Sequence, residues 1–263
     1  LQTHLSDFEN AGIKLFTISY DSVEVLDEFA KVYGIQFPML ADVGSEVIRR
    51  YGIMSTLIRP DEVEHYGIPY PGTYIVDSSG IVTHKFFHRE YQVRETAPTI
   101  LKSGFHLPVD PSRFVHTESD ADGVTVAGEV AGTVLHNRQT TNLYVTLKMA
   151  EGLHVYGPTA PEGYTPTTVS VEATEGLNIG EPAFPPTTPF SIAGLPEEFQ
   201  VMDGEATIVI PVQSRIRETG QATINVSVRF QACTDSECLL PQTLSLQLNV
   251  ATEPMTRAAA PTA

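Results

Sequence analysis

The sequence predicts two domains of different class, an α/β domain over residues 1–103 followed by an all-β domain over residues 121–251. Three observations carry this. Helix-period and strand-period apolar patterns alternate up to about residue 103, whereas beyond about residue 121 nearly every segment reads as a short alternating strand. Between them, Lys102 to Gly123 (KSGFHLPVDPSRFVHTESDADG) has the Pro, Ser, Asp and Gly content of an exposed connector, giving a linker over 104–120. The 263 residues, 41% hydrophobic and 18% charged, have a globular balance and length enough for two cores.

In chain order, Leu1, Leu5 and Phe8 mark the apolar face of a helix ending near Gly12, and Ile13 to Tyr20 (IKLFTISY) reads as a buried strand. Val25, Leu26, Phe29, Ala30 and Tyr33 recur at helical spacing before Gly34, a stop signal. Asp42 to Tyr51 predicts a short helix, and Gly72 to Asp77, Gly80 and Ile81 to His88 predict strand, turn and strand. This order suits an α/β sandwich around a central mixed sheet. In the second domain, Ala222 to Gln231 (ATINVSVRFQ) and Thr243 to Val250 (TLSLQLNV) alternate as half-buried strands do. From residue 252 the small, Pro-containing end (EPMTRAAAPTA from Glu253) has no core-forming period and reads as a disordered tail.

Several function classes drop out. No run of about 18 apolar residues occurs, so no membrane span is predicted. The net charge of −16, with no basic stripe, argues against nucleic acid as a partner. No Gly-rich phosphate loop or serine-nucleophile elbow is present, and no cofactor is expected. The eight histidines, His4, His65, His84, His88, His106, His116, His136 and His154, are scattered and read as surface or packing residues. His84 and His88 fall on a strand, where residues four apart stand about 13 Å apart, so no metal site is expected there. The chain opens with Leu1 inside a helix and without the zones of a signal peptide, so an upstream segment is expected.

The only cysteines, Cys233 and Cys238, lie in FQACTDSECLLP between the two alternating strands and face each other across a short loop. Redox chemistry is the leading reading. A structural disulfide in an exported domain is the serious alternative, although so short a loop gains little from closure. Zinc is disfavoured because no second Cys or His cluster supplies four ligands. Asp235 and Glu237 between the thiols raise a thiol pKa, which points to a pair attacked by a partner's thiolate rather than to an aggressive nucleophile.

Four blocks in the first domain carry a family resemblance: Lys14 to Asp21 (KLFTISYD), Phe37 to Asp42 (FPMLAD), Tyr51-Gly52-Ile53, and Pro71 to Asp77 (PGTYIVD) with Gly80. Over residues 1–103 the chain resembles the peroxiredoxin group (alkyl hydroperoxide reductase and thiol-specific antioxidant) of thioredoxin-fold redoxins. The resemblance implies an N-terminally truncated thioredoxin-like domain whose first strand and peroxidatic cysteine stand upstream. No cysteine occurs in residues 1–103, so no peroxidase activity is expected from this chain. Pro71 falls where thioredoxin-like members carry a cis-proline, which makes Tyr70-Pro71 a candidate cis bond and Tyr70, Pro71 and Thr73 candidate partner-facing residues.

In the second domain, Leu153-His154-Val155-Tyr156, Pro185-Pro186, Ala206 to Val212 (ATIVIPV) and the Cys233 to Pro241 segment resemble the immunoglobulin-like N-terminal domain of the thiol:disulfide interchange protein DsbD. The resemblance implies that Cys233 and Cys238 are a reversible redox couple serving a thioredoxin-fold partner through a mixed disulfide. It also implies an extracytoplasmic, periplasmic setting and a cap loop, for which Phe190 to Asp203 is the candidate stretch and Phe199 the candidate cap residue. The expected function is a thiol–disulfide oxidoreductase joining a thioredoxin-like domain to an immunoglobulin-like sandwich. The alternatives are a peroxiredoxin-type antioxidant whose peroxidatic cysteine lies upstream, and a non-enzymatic adaptor with a structural disulfide.

Overall fold

The computed structural model describes residues 1–62, 66–88, 90, 92–191 and 198–255. His65, the middle of the candidate cap stretch and the end of the expected tail lie outside them. The chain divides into two compact units, one over Leu1–Pro108 and one beginning at Val109.

The first unit opens with a 3-10 turn, Gln2–His4, and helix α1 (Leu5–Asn10), which buries Leu5 and Phe8. It continues through β1 (Thr17–Ser19), α2 (Val23–Tyr33), β2 (Met39–Ala41), α3 (Glu46–Arg50), β3 (Gly72–Val76), β4 (Val82–Phe87), β5 (Arg94–Glu95) and α4 (Ala97–Thr99), which runs on into a wide turn over Ile100–Gly104. Helix α2 starts where the Ser22 side chain accepts the Val25 N–H and stops at Gly34, whose φ of +61° is open to glycine at little cost. The sequence predicts one central mixed sheet; the described residues hold two separate pairs, β1 parallel to β2 and β3 antiparallel to β4. With no further described strand beside β1, Phe16 and Ile18 are exposed rather than buried as the apolar run implies.

Asp42 explains why so short a helix as α3 forms. Its carboxylate accepts the N–H groups of Val47 and Ile48 at 3.1 and 2.9 Å, satisfying donors that a helix start leaves open. Burial pushes the Asp42 carboxyl up, but hydrogen bonds from Ile48, Val47 and Glu46 and the Arg49 charge outweigh it, leaving the pKa below the usual value. Its stabilising contribution is therefore present above the ordinary carboxylate range and lost as pH falls through the depressed pKa. Asp42→Asn is expected to flatten the acid limb of thermal midpoint against pH; an unchanged limb would assign that limb to other carboxylates.

The second unit is built of strands: β6 (Phe114–Ala121), β7 (Val124–Ala131), β8 (Val134–His136), β9 (Gln139–Met149), β10 (His154–Tyr156), β11 (Thr168–Ala173), β12 (Leu177–Ile179), β13 (Thr188–Ser191), β14 (Glu198–Asp203), β15 (Glu205–Ser214), β16 (Gly220–Phe230), β17 (Ala232–Cys233) and β18 (Gln242–Glu253). The orders β12-β15-β9-β7-β6 and β11-β16-β18-β8 form two sheets, and β13-β14-β10-β17 a third. Alternation fixes which side chains enter the core: Ala222, Ile224, Val226, Val228 and Phe230 of β16 are buried, as are Ala206, Ile208, Ile210 and Val212 of β15. They meet Leu143, Val145, Leu147, Leu246, Leu248 and Val250 in one cluster. Gly128 of β7 permits close approach, since a Cβ there would stand 3.1 Å from Leu246 Cδ1 and 3.3 Å from Leu248 Cδ1.

Two boundaries differ from the sequence reading. The expected linker over 104–120 contains most of β6, an edge strand whose Phe114 is buried while alternate residues point outward. Its exposed His116, Glu118 and Asp120 alternate with half-buried Thr117 and Ser119, a polar run that composition alone reads as a loop. The expected tail from residue 252 begins inside β18, where Thr252 is 2% exposed and pairs with Gly220.

Candidate redox site

Both cysteines sit where the chain changes sheets. Strand β16 ends at Phe230 opposite Gln242 of β18, but the segment between them leaves that hairpin, and Ala232–Cys233 pairs with β10 instead. A tight turn follows: Thr234 N–H donates to Glu237 O at 2.8 Å, and the Thr234 hydroxyl accepts the N–H groups of Ser236 and Glu237. Leu239 N–H donates to Ala232 O at 2.8 Å. These flanking bonds make Cys233 and Cys238 a non-hydrogen-bonded antiparallel pair, the position at which cross-strand side chains come closest, and the two are joined as a disulfide. The two residues are unequally placed: Cys233 is 1% exposed, whereas Cys238 is an exposed residue.

Register determines what surrounds them. In β10, Val155 faces the main core with Met202 and Ala232, so His154 and Tyr156 point to the opposite face with Cys233. Tyr156, Phe199, Val201 and Cys233 form a second buried cluster there. A disulfide sulfur carries no proton, so the Tyr156 hydroxyl is the donor toward Cys238 Sγ at 3.3 Å and Cys233 Sγ at 3.5 Å. Burial, with the neighbouring Tyr164, holds the Tyr156 phenol above its usual pKa, so it stays protonated and able to donate. The Tyr156 ring lies 5.4 Å from both Tyr164 and Phe199.

Phe199, the candidate cap residue, is fully buried within this cluster, and Phe190, its register partner on β13, lies 4.4 Å from the His154 ring. Beside them opens a cleft of about 370 Å³ lined by His154, Phe190, Val201, Asp203 and Asp235. Tyr70, Pro71 and Thr73 belong to the first unit. The Tyr70 hydroxyl bonds the Thr56 hydroxyl at 2.7 Å and borders a cavity of about 520 Å³, and Thr73 pairs with Phe86 in the β3–β4 ladder. The Tyr70–Pro71 bond is trans, which corrects the candidate cis bond. Trans is the intrinsically favoured isomer, and in it the Pro71 carbonyl accepts the His88 N–H where the ladder begins. No group of three or more His, Cys, Asp or Glu among the described residues could hold a metal ion.

Tyr164 is a site residue that no sequence motif singles out, while His154, Tyr156 and Phe190 fall in stretches the sequence marks without assigning them a role at the cysteines. The available signal was period two in His154-Val155-Tyr156, which puts a histidine and a tyrosine on one strand face.

Two parts of the chain match known families. Residues 1–85 match the AhpC/TSA family, and residues 124–249 match the family described as thiol:disulfide interchange protein DsbD, N-terminal. Peroxiredoxin Q, chloroplastic, of Sedum lineare is 33% identical over 92 residues, covering 34% of this chain and 46% of its own. A putative peroxiredoxin of Mycobacterium tuberculosis (strain ATCC 25618 / H37Rv) is 32% identical over 97 residues, covering 35% and 55%. The chain thus spans about half the length of the curated relatives it matches. Among solved structures, the N-terminal periplasmic domain of ScsB from Proteus mirabilis aligns with a TM-score of 0.35 at 16% identity, covering 52% of this chain and 49% of that one. The reduced N-terminal domain of DsbD from Neisseria meningitidis aligns with a TM-score of 0.30 at 14% identity, covering 56% and 94%. A part matched by the AhpC/TSA family is thus followed by a strand-rich part matched by the DsbD N-terminal family, and this combination supports a thiol–disulfide redox function. No helix among the described residues is long and apolar enough to cross a membrane.

Proposed function

We propose that this chain is a thiol–disulfide oxidoreductase whose Cys233–Cys238 pair exchanges two electrons with a thioredoxin-fold dithiol, in an extracytoplasmic compartment where disulfides persist. The observation that carries the reading is the unequal exposure of the two cysteine residues, whose sulfurs share one tyrosine hydroxyl. A partner thiolate attacks Cys238 Sγ, the accessible end. A new disulfide forms between the partner and Cys238, the Cys233–Cys238 bond breaks, and Cys233 leaves with the electron pair. The partner's second thiolate then attacks its own sulfur in the mixed disulfide and releases Cys238. The partner ends oxidised and the Cys233/Cys238 pair reduced; the reverse sequence oxidises the pair. Tyr156, held protonated, stabilises negative charge developing on either sulfur.

The AhpC/TSA part suits a thioredoxin-fold element of the same relay. It holds no cysteine, so peroxide reduction requires a thiol that residues 1–103 do not supply. The test is the reduction potential of the Cys233–Cys238 pair, equilibrated against glutathione and read by thiol trapping. A value above about −250 mV is expected for an exchangeable couple, and one below about −300 mV would make it a structural staple, the adaptor reading.

A further inference from the structure

The sheet face that carries the disulfide also carries a buried imidazole whose Nε2 has no hydrogen-bond partner. In register, His154 stands opposite Cys233 on one side and Asp203 on the other. Directly opposed residues of an antiparallel pair share a face with Cβ atoms about 4.5–5.5 Å apart, so the imidazole and Cys233 stand side by side on one face, with the Tyr156 hydroxyl 3.5 Å from the same sulfur. His154 is 6% exposed, lies against the Phe190 ring and lines the cleft that Asp203 and Asp235 also line. A buried polar nitrogen left unpaired is a rarity that calls for a function.

We propose that His154 holds the proton that the buried Cys233 sulfur takes up when the disulfide opens. The inference rests on the exchange reading above and adds the residue that makes Cys233 a workable leaving group. When a partner thiolate bonds to Cys238 Sγ and the Cys233–Cys238 bond breaks, the electron pair goes to a sulfur shielded from water. An imidazolium across the strand gives its proton to that sulfur and becomes neutral, and the imidazole regains a proton from water through the cleft. In the reverse direction it accepts the Cys233 proton as the thiolate forms. Tyr156 on the same strand donates to both sulfurs but, with its raised pKa, does not exchange its proton near neutrality.

The charged and titratable groups facing His154 are Cys233 on β17, Asp203 on β14, Asp235 in the turn after β17 and Tyr156 on its own strand; Glu151 lines the same cleft. Burial lowers the His154 pKa, the charges of Asp235 and Asp203 oppose this, and the net value lies below that of an ordinary histidine. His154 thus gains its proton at lower pH than an ordinary histidine, so exchange per attacking thiolate accelerates toward acid.

The experiment measures the rate at which dithiothreitol reduces the Cys233–Cys238 disulfide in the full chain, divided by the thiolate fraction of the reagent at each pH. The corrected rate is expected to rise about tenfold or more along a single titration below neutrality, and to be nearly flat in His154→Gln and His154→Tyr. A flat profile in the unmodified chain, or an undiminished rise in either variant, overturns the proposal. Should neither variant fold, the NMR titration of the His154 ring in the unmodified chain decides: a midpoint matching the rate inflection supports the role, and a mismatch overturns it. Excess dithiothreitol opens an exchangeable couple and a moderately stable staple alike, so failure of the relay reading and failure of the His154 role are separate results.

Discussion

Reduced Cys233→Ser protein is expected to displace thionitrobenzoate from a single-cysteine thioredoxin-fold partner that carries it as a mixed disulfide, giving a stable Cys238–partner disulfide, whereas Cys238→Ser is expected to form none. The difference follows from placement. Cys238 is exposed in the turn, while Cys233 is 1% exposed beneath Tyr156 and within a packed cluster, where a partner sulfur cannot make the in-line approach that exchange needs. Removing the attacked sulfur eliminates the step itself, so the Cys238→Ser rate should fall by at least about 10⁴-fold, the scale seen when a nucleophile is deleted. Cys233→Ser removes only the resolving sulfur, and the covalent complex accumulates because nothing within the chain releases it. Trapping with a single-cysteine partner, followed by non-reducing electrophoresis and mass spectrometry, distinguishes the two. Equal trapping by both variants would refute the assignment of Cys238 as the accessible end.

The cysteine pair was legible in the sequence because its flanks, Ala222 to Gln231 and Thr243 to Val250, alternate cleanly and bring the two thiols face to face. Which sulfur is buried was not. That depends on the chain leaving the β16–β18 hairpin after Phe230 and pairing Cys233 with β10, a choice made by long-range contacts. Tyr156 lies 77 residues from Cys233 in sequence, and no local pattern reports such a distance. His154 reads as one of eight scattered histidines until the register sets it opposite Cys233.

The fold was most legible where burial on one face imposes period two, as in β15, β16 and β18, and least so at edges. Strand β6 was hidden because its exposed Glu118 and Asp120 and its half-buried Thr117 and Ser119 are residue types that also build loops. In the first unit the apolar run at Phe16 and Ile18 implied a buried strand, yet apolar composition states a preference for burial and cannot supply the neighbouring strand that provides it.

Phe199→Ala is expected to cost the second unit about 3–5 kcal/mol, the range for truncating a fully buried aromatic, and to lower its thermal midpoint by roughly 10 °C. The side chain is completely buried, with ring centroids 5.4 Å from Tyr156 and 4.8 Å from Tyr164. The void cannot close readily, because β10, which carries Tyr156, is held between β14 and β17. Denaturant unfolding measures the loss, and thiol-specific labelling of the reduced variant should show Cys233 gaining reactivity as the cluster loosens. A loss below about 1 kcal/mol would mean that the cluster collapses onto the site and that Phe199 does not support Tyr156. The comparison with the disulfide gives this value its meaning. The two cysteines are five positions apart, and closing so short a loop stabilises the fold by only about 2 kcal/mol. The aromatic cluster therefore holds the site more strongly than the covalent bond does. A pair that must open and close in each exchange needs that ordering, because the scaffold around Cys233 and Tyr156 then survives reduction.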